Sequence, residues 1–314
     1  MLVSKIAMDE TIFCSNCGEK NSSNGNFCVG CGSILHNFEK IKPKPTIKSL
    51  EDLYTSQNEE LLDKGEITEE TLNLILENIK EIGKSNYEAS EFGTPFEKVS
   101  AIVNAFSSWQ YKSKGEELGS YCGNSIQLDD RLDDSEKIAT LIHELAHHLL
   151  AEIVEEIAIY LLEVKKTPTI EALINVMLIR QDFAVMNEYC AHTVEGRFIP
   201  FGYQNYGSFN KLLDETKLDD DEIGFSFIVG NTFANIIIAI LEEFIDSDLR
   251  EEIKLQYKKD NIPLINSEIA LEVKETMDLE TLLLIIVNAI YLAFKATKDS
   301  EDIQNLLMEC KNKF

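Results

Sequence analysis

The sequence predicts a mainly α-helical protein with a small β-sheet, an α+β domain over residues 50–314 preceded by a compact cysteine module. Three observations carry that prediction. Apolar residues recur at helical spacing through most of the chain after residue 67, only one stretch has the look of a strand, and four of the seven cysteines crowd into residues 14–31. With 314 residues and 44% hydrophobic content, the chain can bury a full-sized core.

The cysteine module comes first. Cys14 and Cys17 form one Cys-x-x-Cys pair, Cys28 and Cys31 a second, and Gly18 and Gly32 follow them. Two such knuckles suit a tetrahedral four-sulfur zinc site, and the matched pairs disfavour a redox dithiol. The segment FCSNCGEKNSSNGNFCVGCGSIL resembles the zinc ribbons found in many bacterial and archaeal proteins, which implies a ribbon over 8–36 holding one structural Zn2+. So small a unit lacks a core, so the ion is expected to supply most of its folding energy. Few basic residues lie between the knuckles, which favours docking to protein over nucleic acid. Met8 directly precedes the module and is an alternative start to Met1.

Residues 37–49 form the expected linker. KIKPKPTIKS has two prolines and four lysines, the composition of an extended tether. Helices are then expected from Thr68, which caps TEETLNLILENIKEIGK, and from Thr94, which caps TPFEKVSAIVNAFSSW. The strand candidate is SYCGNSIQL, Ser120 to Leu128, closed by the acidic turn DDRLDD. Two apolar stretches, Phe225 to Leu241 and Leu279 to Phe294, are interrupted by Asn231, Asn235 and Asn288, which favours buried core helices over membrane spans.

The net charge of −26 is uneven: residues 1–48 carry a local +2, leaving −28 on the other 266 residues. A surface that acidic repels phosphate backbones and makes nucleic acid an unfavourable ligand. Acidity of this kind keeps a protein soluble; its sharper readings are a DNA-mimicking surface or a preference for basic protein substrates. The N-terminus has no apolar run of signal-peptide length, so a cytoplasmic location is expected.

The chemistry is concentrated in DDSEKIATLIHELAHHLL. Asp133, Asp134 or Ser135 can cap a helix whose apolar positions are Ile138, Leu141, Ile142, Leu145 and Leu149. His143 and His147 then share a face, four residues apart, and can chelate one ion while Glu144 beside them handles water. A zinc hydrolase needs a third ligand and an open position. The helical pattern stops at Thr167-Pro168, an N-cap followed by proline at the first helical position, and restarts, which predicts a helical hairpin. Measured from the midpoint of that pair, His147 and Glu188 are equally distant at 20.5 residues, and His143 and His192 match likewise. Glu188 is therefore expected as the third ligand, with His192 one turn further on.

HExxH followed on a later helix by Asn187-Glu188 is similar to the gluzincin pattern of thermolysin-like peptidases, which implies Glu188 as zinc ligand. The chain departs from it at residue 192, where that family has an aspartate bonded to a zinc histidine. GSYCGNSIQLDDRLDDSEKIATLIHELAHHLL and NEYCAHTVEGRF also resemble blocks of the ImmA/IrrE and antirestriction-type zincins, a likeness covering about 80 of the 314 residues. It implies a zincin-like peptidase domain with an edge strand before the metal helix.

The expected mechanism places a catalytic Zn2+ on His143, His147 and Glu188, with Glu144 as general base and an extended protein substrate added to the strand at 120–128. His192 is the preferred second oxyanion donor, ahead of Tyr189, Arg197 and Tyr203. His148 is expected to pack or meet solvent, and Cys122 and Cys190 to be small buried residues. Two rivals remain: a non-enzymatic regulatory protein whose modules are docking surfaces, and a di-iron carboxylate protein built on Glu144 and His147 with Glu188 and His192.

Overall fold

Helix starts in the computed structural model, which describes residues 11–13, 20–22, 67–88, 93–112, 118–122, 125–265 and 273–299, follow the capping chemistry of the sequence. Thr68 caps α1 (Glu69–Asn86) by accepting from the Thr71 amide at 3.3 Å. Thr94 and Glu97 form a reciprocal capping box ahead of α2 (Pro95–Phe106). Near the N-terminus β1 (Thr11–Phe13) pairs antiparallel with β2 (Lys20–Ser22). Cys14, Cys17, Cys28, Cys31, the linker at 37–49 and residues 50–66 lie outside the described residues, as does Cys310.

The stretch expected as one strand is two. β4 (Gly119–Cys122) and β5 (Ser125–Asp129) pair antiparallel, with Tyr121 opposite Ile126. The intervening dipeptide is Gly-Asn, a sequence signal for a reversal. A strand not anticipated, β3 (Ser108–Lys112), runs parallel to β5, so the sheet order is β3-β5-β4 and β4 forms an edge. Ile126 and Leu128 on β5 are fully buried.

The sheet and most helices are organised around α3 (Asp134–Leu162), opened by a capping box between Asp133 and Glu136. At 29 residues it is about 44 Å long. Twenty of those residues are buried, on every face, as expected of a helix at the centre of a core rather than on its surface. α3 ends at Glu163, held in the left-handed region at φ 49°, where its amide bonds the Ile159 carbonyl. Thr167 then caps α4 (Pro168–Leu178), with Pro168 at the first helical position, so the expected hairpin turn is present. Lys166 pins that turn: its Nζ donates to Glu152 at 2.9 Å and lies 3.0 Å from Glu155.

The second arm was expected as one helix. It is interrupted at Ile179 and Arg180, and α5 (Gln181–Phe198) starts from Arg180 in extended conformation. Both α4 and α5 pack along α3, so the arm still returns beside it. The chain continues through α6 (Gly207–Glu215), α7 (Asp220–Leu241), α8 (Ser247–Asp260) and α9 (Leu279–Asp299). α7 lies hard against α5 because Gly230 has no side chain. A Cβ there would sit 2.7 Å from the Met186 carbonyl oxygen, two residues before Glu188. By length and composition α7 and α9 could each cross a membrane; 56% and 39% of their apolar windows are buried inside the fold.

Burial pushes the Glu155 carboxyl from its ordinary 4.5 up to about 8, against the partial offset of Lys166, and among the described residues Glu155 Oε1 has no hydrogen-bond partner. Below pH 4.5 folded and unfolded chains both hold this proton; between there and about pH 8 only the folded chain keeps it, so stability falls as pH rises. Glu155→Gln should flatten that slope and gain stability at pH 8.5 relative to pH 5. Denaturant melts of both proteins across that range check it.

Candidate metal centre

Helical periodicity alone stacks His143 over His147 on α3, and their Nε2 atoms lie 3.2 Å apart. α5 brings Glu188 against both: Oε2 is 3.5 Å from His143 Nε2 and Oε1 is 3.6 Å from His147 Nε2. The three residues expected as ligands are therefore together. For an ion with ligands at 2.0–2.1 Å, the edge of a tetrahedron is about 3.3 Å, close to all three separations.

The surroundings fix which nitrogens face inward. His143 Nδ1–H donates to Glu195 Oε2 at 3.1 Å, and His147 Nδ1–H donates to Asn187 Oδ1 at 2.8 Å. Both acceptors lie outside the cluster, so both Nε2 atoms present lone pairs toward each other and toward a carboxylate. Lone pairs 3.2 Å apart repel unless positive charge lies between them. A proton relieves one pair; a metal ion relieves all of them at once. His192 lies beside them, its ring centroid 4.5 Å from that of His143, and the donor atoms of His143, Glu188 and His192 all fall within 4.8 Å of one another. This group can hold a metal ion.

Electrostatics point the same way. Burial opposes charging His143, yet hydrogen bonds with Glu188 and Glu195 outweigh it and raise its pKa well above the ordinary value. Burial would raise the Glu188 pKa, but His147, His143 and His192 hold it down to about 2. Glu195 is likewise held low against burial by hydrogen bonds from His143 and His192. Two ionised carboxylates thus serve a pocket of imidazoles, a balance that accepts a cation.

Glu144 follows His143 but turns to the sheet. It is 7% exposed, and a Cβ on Gly119 of edge strand β4 would sit 2.8 Å from its Oε1 and 2.3 Å from Thr140 Cγ2. Glycine is what lets β4 close over this carboxylate. Burial raises the Glu144 pKa, partly offset by His147 and His143.

His192 is 4% exposed and its Nδ1–H donates to Glu195 Oε2 at 3.2 Å. Tyr189 is turned away: its hydroxyl bonds the backbone of Val273. Arg197 pairs with Glu242, and Tyr203 packs on Tyr257. His148 is buried between the Tyr121 hydroxyl and the Phe106 carbonyl, with nothing of it at the metal cluster. Cys190 is buried as expected; the side chain of Cys122 lies outside what is described. Sequence reasoning missed Glu195, although it sits three residues after His192 and seven after Glu188, on one face of a helix.

No protein-family model matches the chain, and neither a curated protein nor a solved structure matches it.

Because Glu195 sets the tautomers of two imidazoles, Glu195→Gln should weaken metal binding about 10- to 100-fold with helix content preserved. Chelator competition alongside far-ultraviolet circular dichroism measures both, and an unchanged affinity would contradict the orientation described.

Proposed function

We propose that the helical domain is a zinc-dependent peptidase acting on a selected protein substrate. The observation that supports it best is the convergence of His143 Nε2, His147 Nε2 and Glu188 within 3.2–3.6 Å, with buried Glu144 next in sequence and next to an edge strand. His143, His147 and Glu188 would hold the ion. Zinc, when bound, supplies a Lewis acid that acidifies water and polarises a carbonyl.

The chain's own residues supply the rest. Glu144, with a pKa raised by burial, is a better proton acceptor than an exposed carboxylate and can pass the proton on to a leaving amine. Among the described residues β4 is an edge strand beside Glu144, so an extended peptide can add to it as a further strand and lie across the cluster. Asn187 and Glu195 keep the imidazoles turned inward. Glu188 is the most open of the three ligands, 32% exposed against 15% and 9% for His143 and His147, so the approach from solvent runs past it. The N-terminal module, read as a zinc ribbon with a structural ion on Cys14, Cys17, Cys28 and Cys31, would select or dock the protein substrate in the cytoplasm.

The di-iron reading is less well supported, since the described residues offer one donor group of this kind rather than the two-ion arrangement it needs. Glu144→Gln tests the peptidase reading against the non-enzymatic one. The variant should bind metal as the wild type does while hydrolysis of the physiological partner falls by at least about 100-fold. Equal cleavage by both proteins, in a co-expression assay read by mass spectrometry, would overturn the assigned role of Glu144.

A further inference from the structure

His192 is left with an imbalance that the three-ligand centre does not resolve. Its Nδ1–H is committed to Glu195 Oε2 at 3.2 Å, an acceptor-only carboxylate shared with His143. Its Nε2 is buried and has no hydrogen-bond partner among the described residues. Tyr206 packs on the ring at 4.9 Å and Phe209 at 5.6 Å, which hinders its turning away. With Nδ1 protonated, the neutral ring offers a lone pair at Nε2 and no proton. An oxyanion would find no donor there; a metal ion would find a ligand.

We infer that His192 Nε2 is a fourth protein ligand of the same ion, making a three-histidine, one-glutamate centre of His143, His147, His192 and Glu188. The inference rests on the reading of this cluster as a metal site. The shared oxygen of Glu195 then orients two ligands at once, which explains why one buried carboxylate serves both rings. Four protein donors saturate a tetrahedral ion, so hydrolysis at this centre requires an expanded coordination shell, which zinc tolerates because it has no geometric preference from its d-electrons.

Cadmium-113 substitution of the full chain tests this directly, since scalar coupling from the metal to imidazole protons reports each metal–nitrogen bond, and the chain has only five histidines. The expected result is one histidine-coupled cadmium resonance, separate from that of the cysteine module and coupled to three imidazoles, with His192→Gln removing one coupled ring and leaving two. Coupling to two imidazoles in the wild type, both retained in His192→Gln, would overturn the fourth ligand while leaving the metal site intact. Absence of any histidine-coupled cadmium would instead overturn the metal site itself, and the inference with it.

Discussion

The geometry of the site depends on acceptors placed behind the histidines. Asn187 and Glu195 accept the Nδ1 protons of His147, His143 and His192, so each ring, when neutral, presents its Nε2 lone pair to the interior. The Nε2 atoms of His143 and His147 lie 3.2 Å apart beside an ionised carboxylate, so positive charge must lie between them, a proton on His143 or a metal ion. Such an arrangement is costly in a buried setting unless positive charge resolves it. The fold sustains this cost with a large apolar core around α3, which can tolerate a local deficit that ion binding repays.

The scaffold serves that constraint by fixing two helices side by side. α3 supplies two imidazoles at a spacing set by the helix itself, and α5 supplies the carboxylates and the third imidazole. Their alignment depends on the turn between α3 and α4: a left-handed Glu163, the Thr167-Pro168 cap, and Lys166 anchored on Glu152 and Glu155. Gly230 also lets α7 press its backbone against the turn of α5 that carries Glu188. Displacement at either contact would move Glu188 relative to the histidines by more than a metal–ligand bond tolerates.

Much of this was legible in the sequence because it depends on local chemistry. Helix caps at Thr68, Thr94, Asp133 and Thr167 are side-chain events within four residues, and the His143–His147 pairing follows from helical period. Glu188 could be placed by counting residues from the turn. That count survived an interruption at Ile179 and Arg180 which carries neither proline nor glycine and so leaves no local signal. The sheet was harder to read. β3 is stabilised by parallel pairing with a strand 17 residues away, Ser108 with Ser125, and such pairing is invisible to short-range pattern. Glu195 was hidden for another reason: among 55 acidic residues, only its burial against two histidines distinguishes it.

The central claim is that α3 and α5 together hold one metal ion. Its most direct test is the metal content of the purified full chain by mass spectrometry, compared with His143→Ala and Glu188→Ala. With the N-terminal cysteine module intact, the account predicts two ions per wild-type chain and one fewer in either variant, with overall helicity retained. Equal metal content in all three proteins would contradict it.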